Sequence, residues 1–127
     1  QNGIKIKYDA VYTGNTKISI FDLVEIIGIF MDNAIEAVSA GDVPKEIVLE
    51  LSDSKGLKLC VKNPVDNISH NDIEKFFERG YSTKNRNSGL GLSKVKEMQK
   101  KYQYDILTRI DDINERKWLE FKIIENT

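Results

Sequence analysis

The chain has 127 residues, of which 40% are hydrophobic and 31% charged, a composition typical of a soluble globular protein with one domain core. Its 19 Lys and Arg against 20 Asp and Glu give a formal charge of −1, which removes any global case for binding nucleic acid or a membrane surface. Cys60 is the sole cysteine, so an internal disulfide is excluded and a reducing compartment is expected.

The first half of the chain predicts a strand followed by a long helix. Residues 4–11 alternate between apolar and polar side chains, which predicts a strand. Residues 18–40 carry apolar side chains at spacings of three and four, with Ser19 as the expected N-cap and Gly41 as the stop. The stripe expected to face the core comprises Val24, Ile27, Met31, Ala34 and Val38.

The second half predicts two hairpins separated by helical segments. Apolar alternation around Ser54-Lys55-Gly56 predicts a hairpin that ends at Asn63-Pro64, and a short helix over 71–79 and a polar loop over 80–88 follow. A helix over 90–103 and strands over 104–110 and 118–124, joined by a turn at 111–117, complete the order. We therefore predict one α+β domain over residues 1–127, a two-layer α/β sandwich whose mixed, mostly antiparallel sheet carries helices on one face.

Gly89 and Gly91 flank Leu90 at the start of a predicted helix. Glycines allow a close approach of the backbone, and unpaired N–H groups at a helix start favour an anion, most often a phosphate. Between residues 75 and 101, eight Lys and Arg face only Glu78 and Glu97. This excess of positive charge indicates either a solvated helix face or a positive rim around a polyphosphate.

Asn33 lies in the middle of the long predicted helix, where asparagine has mediocre propensity. Two interpretations stay open from the residue alone. Asn33 is either a hydrogen-bonded core amide or an oxygen ligand of Mg²⁺, which commonly shares its ligands with substrate phosphates.

Three segments in this order, "FMDNAIEA", "FFERGYSTK" and "SGLGLSKVKEM", resemble the N-box, F-box and G2-box of GHKL (Bergerat-fold) ATP-binding domains. Within that superfamily the chain is similar to sensor histidine kinases, and among those to the peptide-pheromone quorum-sensing kinases of the accessory gene regulator type. The resemblance implies that Asn33 coordinates Mg²⁺ on ATP and that residues 80–88 form a lid over the nucleotide. Further contacts to lid and phosphates are implied for Phe77 (or Phe76), Ser82, Thr83, Lys84, Gly89, Leu90 and Gly91.

The chain departs from the family pattern at the adenine end. The usual G1-box aspartate, which accepts a hydrogen bond from the adenine amino group, is replaced by Asn63, and Asn67 stands where a glycine is usual. Because a neutral acceptor bonds more weakly than a charged one, we expect weaker nucleotide affinity. Asp66 is an alternative adenine contact, and Asn63 and Asn67 would otherwise form only the turn after the strand.

A second departure concerns the chemistry. Ile29 stands one helical turn before Asn33, where hydrolysing superfamily members carry a water-activating glutamate. This argues against a chaperone- or topoisomerase-type ATPase and for transfer of the γ-phosphate, in which Lys84 would neutralise charge. Alternatively, Lys84 is a free lysine in the loop.

The resemblance implies an acceptor histidine on a separate dimerisation domain, and a response regulator downstream. His70, the single histidine, lies in a predicted turn and is expected to be structural or merely exposed. We therefore expect a cytoplasmic catalytic domain cut from a membrane-anchored kinase, with ATP and Mg²⁺ as cofactors. The alternatives are a nucleotide-binding regulatory module without transfer activity and an anti-sigma-type serine kinase.

Overall fold

The structure is a computed structural model that describes residues 3–66 and 88–126. Over these ranges the chain forms five strands and two helices. In chain order they are β1 (Lys5–Val11), α1 (Ile20–Ala40), β2 (Glu46–Ser52), β3 (Lys58–Val65), α2 (Ser88–Met98), β4 (Tyr104–Ile113) and β5 (Arg116–Glu125).

The strands form one sheet in the order β1-β2-β3-β5-β4. The β2–β3, β3–β5 and β4–β5 pairs are antiparallel, whereas β1 and β2 are parallel because α1 carries the chain back across the sheet between them. The predicted fold class, an α+β fold with a mixed, mostly antiparallel sheet, is confirmed. The parallel β1–β2 pair is what makes the sheet mixed.

Helix α1 begins as the sequence predicts, because the Ser19 hydroxyl accepts a hydrogen bond from the backbone N–H of Asp22 at 3.2 Å. At the other end, Gly41 N–H bonds to Ala37 O, and the Lys45 ammonium donates to the carbonyl oxygens of Val38 and Gly41. A cation at this position complements the negative end of the helix dipole. These contacts define where α1 begins and ends.

The predicted core stripe of α1 is partly wrong. Val24 is 60% exposed, and Ile27 and Met31 only flank the core. The side chains that enter the core are Leu23, Ile26, Phe30, Ala34 and Val38. Phe30 stacks on Phe121 of β5 with ring centroids 5.5 Å apart. Apolar residues lie on two neighbouring stripes of α1, and contact with β3 selects between them.

Three predicted boundaries differ from the structure. Strand β3 continues through Asn63 and Pro64, which pair with Leu119 and Trp118 of β5. The predicted turn at 111–117 contracts to Asn114-Glu115, both at positive φ, as a two-residue hairpin turn of the primed type requires. Helix α2 ends at Met98 rather than at residue 103.

Two buried carboxylates hold the loop between β1 and α1. Asp53 accepts hydrogen bonds from the backbone N–H groups of Thr13, Gly14 and Asn15 at 2.8–3.1 Å. Glu125 accepts from the Thr16 hydroxyl and from the N–H groups of Lys17 and Leu57. The loop therefore enters α1 in a fixed direction.

Candidate functional site

Asn33 lies on α1, half-buried, and its amide is oriented by the helix itself. The side-chain N–H donates to the carbonyl oxygen of Ile29 at 2.8 Å. A bond through the nitrogen uses the donor end of the amide and directs its carbonyl oxygen towards the far side. Asn33 therefore presents an oxygen acceptor in a defined direction, as a ligand of a hard cation requires.

The glycine pair meets α1 at the same residue. A β carbon built on Gly91 would lie 3.2 Å from Cγ2 and 3.5 Å from Cγ1 of Ile29. The absence of a side chain at Gly91 thus allows the start of α2 to approach α1 closely. Asn33 and Gly91, widely separated in sequence, both contact Ile29, one through its carbonyl oxygen and the other through its side chain.

Helix α2 begins at Ser88, two residues before the predicted start at Leu90. The first N–H groups of a helix have no acceptor within it. Those of Gly89, Leu90 and Gly91 lie in this first turn, where the helix dipole is also positive. The expectation that this pair offers N–H groups to an anion stays a prediction.

Part of the lysine-rich surface is neutralised by α1. The Lys94 ammonium lies 2.5 Å from Glu25 and the Lys101 ammonium 3.1 Å from Asp22. The hydrogen bonds from Tyr102 and Lys101 hold the pKa of Asp22 below its ordinary 3.8, and these carboxylates raise the pKa of Lys94 and of Lys101. These two lysines therefore tie α2 and the segment directly after it to α1 and do not form a free positive rim.

At the end of β3, Asn63 is buried on the sheet face that carries Leu59 and Val61. Its side-chain N–H donates to the carbonyl oxygen of Pro64 at 3.1 Å, which leaves the side-chain oxygen as the acceptor. Asp66, the alternative adenine contact, is exposed. One of its carboxylate oxygens would lie 3.8 Å from a β carbon on Gly41, at the end of α1.

Residues 18–124 of the chain match the model of the family described as the GHKL domain. The chain is a GHKL domain. The expectation drawn from the three sequence boxes is confirmed at this level, and the match covers every element of the sheet except β1.

The relatives of this GHKL domain include a sensor protein. Over 81 residues it is 37% identical to the sensor protein CitS of Bacillus subtilis (strain 168), a match that covers 63% of this chain. The chain spans 15% of the length of CitS. CitS therefore has a large part without a counterpart in this sequence.

Solved structures with the same fold include a histidine kinase catalytic domain and a sensor histidine kinase. The catalytic domain of the histidine kinase ThkA is 20% identical, with a TM-score of 0.68 over 97% of this chain and 80% of that chain. The mycobacterial sensor histidine kinase MprB is 17% identical, with a TM-score of 0.67 over 98% of this chain and 84% of that chain. The fold of this GHKL domain is therefore that of a histidine kinase catalytic domain.

Several predicted site residues lie outside the described ranges, as does His70, which was expected to have no role in the site. The site residues are Asn67, Phe77 (or Phe76), Ser82, Thr83 and Lys84. Their roles stay predictions. The structure thus brings together the N-box and the glycine pair through Ile29, and it places Asn63 separately at the end of β3.

Asn33 fits a magnesium ion as one ligand among several. Across residues 3–66 and 88–126, no three His, Cys, Asp or Glu side chains form a group that could hold a metal. Mg²⁺ typically takes one or two protein oxygens and completes its octahedron with waters and substrate phosphates. The oriented oxygen of Asn33 suits such a shared site, in which bound Mg²⁺ would neutralise phosphate charge.

Sequence reasoning noted Ile29 for the glutamate that it replaces and missed its contacts. The sequence offered one signal for these contacts. Ile29 lies one helical turn before Asn33, and the second motif contains a glycine, Gly91, that can pack closely against such a side chain. In the part of the chain that the structure describes, no helix is long and apolar enough to cross a membrane.

Proposed function

We propose that this GHKL domain binds Mg-ATP and donates the γ-phosphate to a histidine on a separate dimerisation domain. That histidine then passes the phosphoryl group to an aspartate of a response regulator in a two-component system. The observation that carries the proposal is the meeting of Asn33 and Gly91 at Ile29. It joins an oriented oxygen ligand for a cation to a helix start that carries unpaired N–H groups, and Mg-ATP needs both.

At the phosphate end, each part has a separate role. The oxygen of Asn33 holds the cation, and the N–H groups of Gly89, Leu90 and Gly91 bind phosphate oxygens. Ser82, Thr83 and Lys84 contact the phosphates from the lid, and Phe77 packs beneath it. Phosphoryl transfer requires mainly positioning and charge neutralisation, which these groups supply.

At the adenine end, Asn63 accepts the hydrogen bond from the amino group through its side-chain oxygen, and Asn67 follows in the turn. The bond from Asn63 to Pro64 supports this role, because it occupies the donor end of the amide. If Asp66 is the contact instead, an Asp66→Ala variant will lose ADP affinity while Asn63→Ala retains it. Isothermal titration of both variants with ADP distinguishes the two.

Transfer is favoured over hydrolysis because Ile29 has no group that accepts a proton from water. Its side chain, half-buried, also packs against the backbone of Gly91. We therefore expect slow steady-state hydrolysis of ATP by this domain. Rapid hydrolysis would instead favour an ATPase of the chaperone or topoisomerase type.

The test of the proposal mixes the domain with the dimerisation domain of the same kinase, labelled ATP and Mg²⁺. The parent labels the histidine, and Asn33→Ala reduces the labelling rate at least tenfold. Asp32→Ala is the matched control, since Asp32 is the exposed neighbour on the same helix and its replacement leaves the rate unchanged. Equal labelling by Asn33→Ala and the parent would refute the Mg²⁺ role.

A second candidate is a nucleotide-binding regulatory module without transfer activity, which the neutral Asn63 in place of an acidic residue favours. Binding of ATP without labelling of any histidine would support it.

An anti-sigma-type serine kinase is distinguished from a histidine kinase by the acid stability of the product, because phosphoserine survives acid and phosphohistidine does not.

The finer assignment is a peptide quorum-sensing kinase of the accessory gene regulator type, acting as the cytoplasmic domain of a membrane-anchored protein. It rests on the motif resemblance, and the similarity to the sensor protein CitS supports the broader class. The sequence of the full-length protein tests it. A helical hairpin with a histidine directly before this domain, and membrane spans before that, are expected.

A further inference from the structure

Strand β1 forms one edge of the sheet, and all seven of its residues are exposed. The N–H of Lys5 donates to the carbonyl oxygen of Lys45 next to β2 at 2.8 Å. In a parallel ladder the residue that donates to the neighbour also accepts from it, and alternate residues do so. Lys5, Lys7 and Asp9 therefore direct their backbone groups to β2, while those of Ile6, Tyr8 and Ala10 point outwards.

We propose that this edge binds the same edge of a second copy of the chain, antiparallel, about a two-fold axis through Tyr8. In that register Tyr8 lies opposite the second copy's Tyr8, and Ile6 lies opposite the second copy's Ala10. All three have outward N–H and C=O groups, so each pair exchanges both of its hydrogen bonds. The proposal is independent of nucleotide binding.

The charges on β1 select this register. With the axis at Tyr8, Lys7 lies opposite the second copy's Asp9 in a non-hydrogen-bonded pair, where facing side chains come closest. An axis at Lys7 or at Asp9 would place that residue opposite itself. An axis at Ile6 would place Lys5 opposite Lys7. An axis at Ala10 would place Asp9 opposite Val11 and leave Lys7 without an acidic partner. Among the registers that use the outward backbone groups, the axis at Tyr8 is the one with opposite charges facing each other.

The side chains near the proposed axis have exposed apolar surface that pairing would bury. Ile6 and Tyr8 share the sheet face of Ile47 and Leu49, yet they are 44% and 74% exposed, because α1 packs mainly on β3. Pairing would place the two Tyr8 rings side by side, and cross-strand aromatic pairs stabilise a sheet. Lysines on an edge oppose indiscriminate strand addition, and Asp9 at the matching position makes the edge selective for its own copy.

One strand pair of this length buries less than the roughly 1,200 Å² of stable complexes, so the association is expected to be weak. Disulfide trapping detects such contacts. In the proposed register the α carbons of the two Tyr8 residues lie about 5.5 Å apart, within disulfide range, whereas those of two Val11 residues lie about 20 Å apart.

The first experiment compares Tyr8→Cys with Val11→Cys under mild oxidation. Both positions are exposed, and Cys60 stays buried in both variants. We expect covalent dimer from Tyr8→Cys at least tenfold faster than from Val11→Cys. Equal rates, or no dimer from Tyr8→Cys at millimolar chain concentration, would overturn the proposal and assign the edge to another partner.

The second experiment tests the register in the Tyr8→Cys background. Lys7→Asp and Asp9→Lys each place like charges opposite one another and should slow trapping severalfold. The combined exchange Lys7→Asp with Asp9→Lys restores opposite charges at unchanged net charge, and it should restore the parent rate. Single exchanges that trap as fast as the parent, or a combined exchange that stays slow, would contradict this pairing.

Discussion

Gly91 packs directly on Ile29, with 3.2 Å between Cγ2 of Ile29 and the place where a β carbon of Gly91 would lie. The carbonyl oxygen of the same Ile29 accepts the amide of Asn33. One isoleucine thus contacts both the start of α2 and the asparagine of α1. The glycine pair is consequently a packing requirement as well as a source of bare N–H groups.

Gly91→Ala tests this contact, with Gly28→Ala as the matched control. Gly28 lies inside α1 with no atom within 4 Å of an added β carbon, so alanine there should raise the free energy of unfolding by about 0.5–1 kcal/mol. At Gly91 the added carbon would crowd the side chain of Ile29, so we expect the free energy of unfolding to fall by about 1 kcal/mol. Urea unfolding of both variants measures the difference.

Combining Gly91→Ala with Ile29→Ala tests whether contact with the Ile29 side chain causes the loss of stability. In an Ile29→Ala background the side chain that meets the new β carbon is absent, so Gly91→Ala should no longer destabilise. The expected interaction energy in the double-mutant cycle is about 1 kcal/mol. Additive effects would mean that the cost at Gly91 arises from another neighbour.

Tyr102 and Asp22 provide a second prediction, about the contact between α1 and the segment that follows α2. The Tyr102 hydroxyl donates to Asp22 at 2.5 Å and accepts from the N–H of Ser19 at 3.2 Å. Tyr102→Phe should lower the thermal midpoint by roughly 5 °C, because a buried hydroxyl with two partners is lost. Lys94→Met, which removes an exposed ion pair to Glu25, should change it by less than about 2 °C. Calorimetry that finds equal changes would contradict the assigned role of Tyr102.

The two carboxylates that hold the loop before α1 predict an acid-dependent stability. Burial alone would raise the pKa of Asp53, but the hydrogen bonds from Thr13, Asn15 and Gly14 outweigh it and hold the pKa below 3.8. For Glu125 the bonds from Leu57, Thr16 and Lys17 likewise outweigh burial and hold its pKa below 4.5. In both cases the unfolded chain binds protons more readily than the folded one.

This difference in proton binding determines the direction in which stability changes with pH. The stabilisation is complete above the unfolded pKa values of 3.8 and 4.5, and it is lost as the pH falls through the lower folded values. Urea midpoints should therefore be flat from pH 7 to pH 5 and fall below it. Asp53→Asn should lower the midpoint at pH 7 and reduce this slope. A parent-like slope in both Asp53→Asn and Glu125→Gln would assign the acid sensitivity to other groups.

Cys60 should be unreactive in the folded protein. Burial, together with its hydrogen bond to Glu120 at 2.9 Å and the charge of that carboxylate, raises the pKa of the thiol to about 12. At pH 8 its thiolate fraction should be on the order of a thousandfold below that of a free cysteine. Iodoacetamide labelling should therefore follow unfolding by urea. Native labelling at the rate of free cysteine would refute this.

The secondary structure of this domain was largely readable because the relevant signals are local. The cap at Ser19, the period of α1 and the glycine-containing turn of the first hairpin each depend on neighbours within a few residues. The strand was predicted to end at Pro64 because proline has no N–H to donate to a neighbouring strand. Pro64 is accepted in β3 since the pairing with β2 has ended at Lys62, and only β5 continues beside it.

The candidate site was readable in its motifs and not in its contacts. Asn33 and the pair Gly89 and Gly91 stand out by residue type, because an asparagine inside a helix and glycines at a helix start each need a reason. That Ile29 joins them depends on the distance between two helices. No local pattern encodes that distance.

By itself, the sequence determined the order of the elements, the α+β class and the membership in the GHKL family, because periodicity, caps and short motifs act over a few residues. Only the tertiary structure decided which stripe of α1 is buried, since Leu23 and Val24 are equally apolar and the sheet selects between them. It also decided that Gly91 meets Ile29 and that the backbone groups of Tyr8 face outwards. These properties arise from packing and strand pairing between segments distant in the chain, where many sequences of the same local pattern would differ.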